Sequence, residues 1–278
     1  MGVLAGGIYG LTAMGLSLIF GVMKVINFAH GQLMVIGMFL TYWILMTFGV
    51  DPIFSFLIAA LIVFSLGYFF QALLINRIIG FPVASQVLVL IGLGLIIENV
   101  LLLVFGPDHR SVNTSLSLKT FWVAGLMVDV ARLATFVLAM AIAVSLFLFV
   151  KKTDAGRALR AAADNRLGAR LAGINVNRVQ NICFGMGAAT AAAAGAFLTA
   201  LMPINPHMGH TFTMTAFIIV ILGGMGNMKG ALVGGIILGV AEALSTLYLL
   251  PSLKQIVSFA ILIGIMLWRP QGLFGEKS

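Results

Sequence analysis

The segment Asn27-Phe28-Ala29-His30-Gly31-Gln32 places hydrogen-bonding side chains between two long apolar runs. Asn, His and Gln side chains are costly in hydrocarbon unless they face protein or a water-filled cavity. Their chemistry suits the recognition or gating of a polar solute, so we predict that Asn27, Phe28, His30 and Gln32 line a pathway or gate. An ordinary turn between two helices is the alternative, but the segment lacks the Pro or Ser of common turns.

Two acidic residues, Glu98 and Glu242, lie deep within apolar runs. An acid inside a membrane span is by default a functional hypothesis, so both are predicted to belong to the same kind of pathway. The alternative is that each is protonated or hydrogen-bonded to a neighbouring helix. His207 and His210 lie in a predicted outer loop without a Cys or acidic cluster beside them in sequence, so no metal site is predicted.

A glycine-rich segment, 223–230, interrupts the apolar C-terminal part of the chain. It superficially resembles a phosphate-binding loop, but it lacks Gly-Lys-Ser/Thr and has the order Lys229-Gly230 instead. Its place within an apolar region predicts a broken helix whose freed backbone groups line a cavity, with a tight helix connection as the alternative. The pathway residues predicted here are Gly223, Gly224, Gly226 and Asn227.

The composition determines the class of protein. The chain has 278 residues, of which 61% are hydrophobic and 9% charged, and its mean hydropathy is +1.14. A soluble domain carries about 25% charged residues, so a soluble enzyme, a nucleic-acid-binding domain and a disordered chain are excluded. No Ser/His/Asp arrangement, zinc-protease His-Glu pair or ATP-binding motif is present, and the chain is not expected to be an enzyme.

The apolar runs predict an all-α, polytopic membrane protein that forms one domain over 1–278. Eight or nine membrane segments are expected, including broken or half-helices, because 212–222 is only half as long as a full span. Glycines spaced by four residues, such as Gly2, Gly6 and Gly10, predict close helix packing within the bundle, with a dimer interface as the alternative. The predicted segments are 3–23, 32–48, 53–75, 85–105, 132–150, 181–202, 212–222, 231–250 and 254–268.

Basic residues orient the chain. The stretch 151–180 contains seven of the 16 Lys and Arg residues and only two acids, so it is predicted to be cytoplasmic. Asp154 is a candidate N-cap, and Gly173 a candidate C-terminal glycine, of a helix that is charged on two sides. Such a helix suits docking into a groove of a cytoplasmic partner, whereas binding of anionic lipid headgroups is the alternative. The docking residues predicted are Gly156, Arg157, Leu159, Arg160, Ala163, Asp164, Leu167, Arg170 and Gly173.

Four segments together resemble the permease subunits of branched-chain amino-acid ABC importers of the LivH-like type. They are 15–31, 156–164 together with 172–176, 222–235 and the segment Arg269-Pro-Gln-Gly-Leu-Phe-Gly275. They occur in the order found in that family, and the resemblance covers nearly the whole chain. The first two are the more specific, because sibling permeases share the glycine-rich segment.

The resemblance implies a multi-pass permease of the bacterial inner membrane that pairs with a second, LivM-like permease. Two cytoplasmic ATPases and a periplasmic binding protein would complete the importer. The basic helix corresponds to the coupling helix of the family. No cofactor is expected on this chain, since ATP and Mg would bind to the ATPase subunits. Three alternatives remain. The first is a permease for another small substrate, namely an amide, urea, or an aromatic or other carboxylate, and the second is a secondary transporter or channel. The third is an intramembrane enzyme, for which Glu98, Glu242 and His30 are the only candidate catalytic groups and lie far apart in sequence.

Overall fold

The chain folds into a bundle of apolar helices in a computed structural model that describes residues 1–112, 120–123, 126–248 and 253–275. Within these residues, seven helical segments are long and apolar enough to cross a membrane, and two shorter apolar helices accompany them. The predicted polytopic helical architecture is confirmed. The helices are α1 Gly2–Met23, α2 His30–Phe48, α3 Pro52–Phe70, α4 Asn76–Ile78, α5 Val83–Phe105, α6 Val130–Lys152, α7 Asp154–Asp164, α8 Arg166–Leu171, α9 Val176–Thr199, α10 Met208–Gly223, α11 Met228–Tyr248 and α12 Lys254–Trp268.

Local signals set the helix ends. The Asp51 carboxylate accepts a hydrogen bond from the Ile53 N–H just before Pro52 opens α3, and Gly49 ends α2 in the left-handed region. A π-helical turn, Gln71–Ile75, joins α3 to α4. A short antiparallel hairpin, β1 Thr120–Val123 and β2 Leu126–Asp129, precedes α6 and was not predicted.

Helix α9 forms the centre of the bundle and packs against α1, α2 and α3. Small residues make this possible, because a β-carbon at Gly67 of α3 would lie 2.7 Å from the Ala188 β-carbon. One at Gly15 of α1 would lie 2.9 Å from the Gly187 carbonyl oxygen. Without a hydrophobic force between helices in lipid, such close backbone approach supplies the packing energy.

Helices α1 and α11 form a second close interface. A β-carbon at Gly6 would lie 2.7 Å from the Gly235 carbonyl oxygen, and one at Gly2 would lie equally close to that of Gly239. The glycines that recur every four residues in α1 therefore face α11 of the same chain. The prediction of close packing within the bundle is confirmed.

The predicted docking helix is two helices instead of one. Asn165 between α7 and α8 has extended backbone, and its side-chain oxygen accepts from the Gly168 N–H, which starts α8. The N-cap of α7 is Thr153, whose hydroxyl accepts from the Gly156 N–H, so the assignment of that role to Asp154 was wrong. Gly173, at φ +83°, ends the element as expected.

Candidate functional site

The segment before α2 is folded into the chain. The Asn27 side-chain oxygen accepts from the Ala29 N–H at 3.1 Å, and the His30 Nε2–H donates to the Thr12 carbonyl oxygen of α1 at 3.0 Å. Both side chains are fully buried, and Phe28 stacks at 4.9 Å on Phe217 of α10. Asn27 and His30 thus fix the start of α2, and within this single chain they do not face an open pathway.

Gln32 connects this segment to a polar cluster. Its amide donates to one Glu98 oxygen at 3.0 Å, while His210 Nε2 lies 2.8 Å from the same oxygen. His207 Nδ1 lies 2.5 Å from the other Glu98 oxygen. We call Gln32, Glu98, His207 and His210 the Glu98 cluster; it joins α2 and α5 to the beginning of α10.

The Glu98 cluster is buried at its acid and open at its histidines. Glu98 is 7% exposed, whereas the two histidine side chains are 59% and 57% exposed. The two histidines were not predicted to belong to a site. Their spacing of three residues just before an apolar segment was the available signal, because it puts both on one side of a helix start. No group of residues able to hold a metal ion occurs in the described ranges.

Glu242 of α11 belongs to a second polar cluster, which it forms with residues of α1 and α12. One of its oxygens accepts from the Ser258 hydroxyl at 3.1 Å, and the other lies 2.6 Å from Lys254 Nζ. The same ammonium donates to the Tyr9 hydroxyl of α1 at 3.2 Å. Glu242 is 6% exposed, so it is an ionic link between α11 and α12 and not a free acid.

The exposed face of α10 runs between the two acids. A cavity of about 200 Å³, which we call the α10–α12 cavity, is lined by residues of α10, α11 and α12. His210, Thr211 and Gln255 contribute exposed polar surface to it. The exposed positions on the other membrane helices are mostly apolar, as at Leu61, which is 68% exposed, and exposed polar residues such as Ser65 and Asn99 bond to a carbonyl of their own helix. Polar groups that face lipid are costly, so this face must meet water or another protein.

The glycine break lies at the opposite end of α10, about 24 Å from the Glu98 cluster. Gly224 and Gly226 have φ of +100° and +86°, so a non-helical break is present. It spans only residues 224–227 and not the predicted 223–230, because Gly223 ends α10 and Met228 starts α11. The C-terminal segment packs onto it, with the Asn227 amide donating to the Phe274 carbonyl at 2.9 Å. The Phe274 N–H donates in turn to the Gly223 carbonyl at 3.1 Å. Two of the segments that carry the resemblance therefore form one joint.

Helices α7 and α8 lie at the same end of the bundle as the glycine break. Arg166 donates to the Met23 carbonyl at the end of α1 at 2.6 Å, and Arg160 donates to the Val150 carbonyl of α6. Leu159 is 1% exposed and packs inside this chain, which corrects its prediction as a partner contact. Leu167 and Leu171 of α8 are instead 67% and 82% exposed.

The remaining predicted docking residues divide by exposure. Gly156 packs against the end of α6, where a β-carbon would meet the Phe149 and Val150 carbonyls, and Ala163 is half-buried. Three of them are exposed, namely Arg157, Asp164 and Arg170. Arg157 forms an ion pair with Asp154. Their contact with an ATPase stays a prediction.

A family model described as "Branched-chain amino acid transport system / permease component" matches residues 1–266. The permease protein LivH of Escherichia coli K12, from a high-affinity branched-chain amino-acid transport system, is 35% identical and aligns over 99% of this chain and 94% of its own. The corresponding BraD protein of Pseudomonas aeruginosa is 29% identical over the same shares. This chain belongs to that permease family. No solved structure matches it significantly.

Membership of the permease family confirms the predicted resemblance and a multi-pass membrane protein. The LivM permease of E. coli K12 is also similar, at 30% identity over 42% of this chain and 28% of its own. Part of this chain is therefore similar to both kinds of permease, LivH and LivM. Within the family fold, the predicted pathway residues occupy two levels. Gln32, Glu98 and Glu242 flank the start of α10, whereas Gly223, Gly224, Gly226 and Asn227 form its other end.

Proposed function

We propose that this permease is one of two membrane subunits of an ABC importer for branched-chain amino acids in the cytoplasmic (inner) membrane. The relatives named for such systems support the substrate class, and the similarity to LivM supports a second permease as partner. Two ATPase subunits would bind ATP and Mg, and a separate binding protein would deliver the substrate. The chain itself would carry no cofactor and catalyse no reaction.

The observation that carries this proposal is the polar, exposed face of α10 within a bundle whose other exposed positions are mostly apolar. His207 and His210 contact Glu98, and Thr211 follows His210 in the same helix, near the predicted outer ends of the helices. In a permease pair, this face would line the translocation pathway together with the partner. Substrate would enter at the Glu98 cluster and leave near the glycine break at the other end of α10.

Energy would arrive through α7 and α8. The exposed Leu167 and Leu171 offer apolar contact for an ATPase, and burying each leucine is worth about 1.5–3 kcal/mol. Arg166 bonds directly to the end of α1, and Leu159 packs into the bundle. A movement of the ATPase would therefore reach α1 without a flexible link, and α1 packs against α10 and α11.

Reconstitution tests the proposal. The chain is co-expressed with a second permease, two ATPases and a binding protein, and liposomes are supplied with labelled leucine, isoleucine, valine, urea and an aromatic acid. ATP-dependent uptake of the three branched-chain amino acids is the expected result. Uptake of urea or the aromatic acid alone would assign another substrate. Uptake by the purified chain alone, driven by an ion gradient, would assign a secondary transporter or channel.

A further inference from the structure

We propose that the α10–α12 cavity is a recognition subsite for a zwitterionic amino acid with an aliphatic side chain. The inference rests on the proposed function and adds where, and by which groups, the permease itself would hold its substrate. The cavity combines a charged end at Glu242 with an apolar end at Met214, Ile218 and Phe259. Its volume of about 200 Å³ suits a ligand smaller than a drug-sized one, because pockets for drug-sized ligands measure about 300–1,000 Å³.

The charged end matches the two charges of an amino acid. Glu242 lines the cavity and forms an ion pair at 2.6 Å with Lys254. The Lys254 side chain is 40% exposed and is not itself part of the cavity lining, so it turns toward the cavity in order to reach a ligand there. A zwitterion can exchange partners with this pair, its ammonium binding the Glu242 carboxylate and its carboxylate binding the Lys254 ammonium. The exchange leaves the net charge of the site at zero, so no unpaired charge is buried, which would be strongly unfavourable.

Neutral polar groups extend this match. The Ser258 hydroxyl already bonds Glu242 at 3.1 Å, and Thr211, Thr215 and Gln255 also line the cavity. The Thr215 hydroxyl donates to the Thr211 carbonyl of its own helix, so its oxygen remains able to accept from an ammonium group. A ligand with only one charge would pair with either the Glu242 carboxylate or the Lys254 ammonium and would leave the other without a partner.

The apolar end would set the side-chain preference. Met214 and Phe259, which are 40% and 44% exposed, face the cavity from α10 and α12. An aliphatic side chain placed between them would remove apolar surface from water on both partners. His210 lines the same cavity and bonds Glu98, so the subsite is continuous with the Glu98 cluster and with the exposed face of α10.

Equilibrium binding to the assembled importer in nanodiscs, without the binding protein, tests the subsite. Labelled leucine is displaced by unlabelled leucine, by 4-methylpentanoate, which lacks the ammonium group, or by 3-methylbutylamine, which lacks the carboxylate. We expect saturable leucine binding that neither analogue displaces at concentrations where leucine does. Glu242→Gln and Thr215→Val should each weaken binding, the former about tenfold or more, because it removes the charged acceptor.

Phe259→Ala and Ile256→Ala form a matched pair on α12, since Phe259 lines the cavity and Ile256 does not. Phe259→Ala should weaken leucine binding several-fold more than it weakens alanine binding, whereas Ile256→Ala should change neither. Phe259→Ala and Thr215→Val also keep the test valid if Glu242→Gln fails to assemble. Three results would overturn the subsite. The first is an importer that takes up leucine but shows no saturable leucine binding. The second is displacement by either analogue at the concentrations at which leucine displaces, and the third is an unchanged affinity for leucine in both Phe259→Ala and Thr215→Val. A wild-type importer without leucine uptake would instead contradict the proposed function.

Discussion

Glu98 is the residue on which the cluster at the start of α10 depends. It accepts from Gln32 on one side and contacts two exposed histidines on the other. A hydrogen bond to a charged group contributes about 1.5–3 kcal/mol, and three donors on one carboxylate leave little freedom in how these helices meet. The acid therefore both positions α10 and presents the histidines toward the proposed pathway.

Replacing Glu98 by Gln should lower leucine uptake by the reconstituted importer roughly tenfold or more, because the charge that holds both histidines is lost. The amount of assembled complex should stay unchanged, since glutamine keeps the side-chain volume. Asn99→Ala is the matched control, because within the described residues the Asn99 amide bonds only to the Leu95 carbonyl of its own helix. Equal uptake by Glu98→Gln and Asn99→Ala would remove Glu98 from the transport site.

At the scale of the element, α8 has exposed apolar residues, whereas the leucine of α7 faces inward. Leu167→Ser with Leu171→Ser should weaken co-purification of the ATPase while the membrane bundle keeps its thermal stability. Leu159→Ala should leave co-purification of the ATPase unchanged but lower the unfolding free energy by about 2–5 kcal/mol, because it leaves a buried cavity. Co-purification and thermal unfolding in detergent separate the two effects. ATPase retention by the double serine variant would exclude α8 as a docking element.

The joint between the end of α10 and the C-terminal segment gives a second prediction for an element. A β-carbon at Gly224 would lie 2.7 Å from the Gly275 nitrogen, and φ there is +100°. Gly224→Ala should therefore detach the C-terminal segment and reduce uptake several-fold, which limited proteolysis near residue 270 would report. Gly264→Ala is the control, because a β-carbon at Gly264 meets nothing within 4 Å. Identical proteolysis of both variants would contradict the prediction.

These elements also indicate what could be predicted from the sequence. Apolar runs and glycine breaks locate membrane helices well, because lipid requires every backbone group to be bonded within its own helix. The break at Asn165 was missed because Ala, Leu and Arg favour a continuous helix, while a side-chain bond to Gly168 competes with it. Because the helix is interrupted at Asn165, α8 is rotated relative to a continuation of α7. Leu167 is therefore exposed, whereas Leu159 is buried.

The composition of the Glu98 cluster could not be derived in the same way. Glu98 and His207 are more than 100 positions apart, and nothing in local spacing indicates that α5 meets the start of α10. The burial of Asn27 and His30 has the same cause, because both are enclosed by contacts with α1 and α10. Whether the predicted pathway residues act in transport stays a prediction until the variants are measured.

For the whole molecule, the distribution of polar surface predicts which sides meet lipid. In an importer whose Cys183 is replaced by Ser, Thr211→Cys should react with a water-soluble maleimide, because it lies on the polar face of α10. Leu61→Cys on α3 should stay unreactive, since thiols need water to form the thiolate. Labelling yields after a fixed reaction time give the comparison. Equal labelling at both positions would contradict a water-accessible face on α10.

The glycine interface between α1 and α11 has a consequence for biosynthesis. Helix α1 leaves the ribosome before α11, and the helix that its glycines face is made only about 200 residues later. Throughout that interval the glycine side of α1 has lipid or the insertion machinery as its neighbour. A chain that stops before residue 228 would insert its earlier spans but would lack α11, against which α1 packs. The exposed glycine side of α1 would then give cellular quality control a way to distinguish incomplete from finished copies.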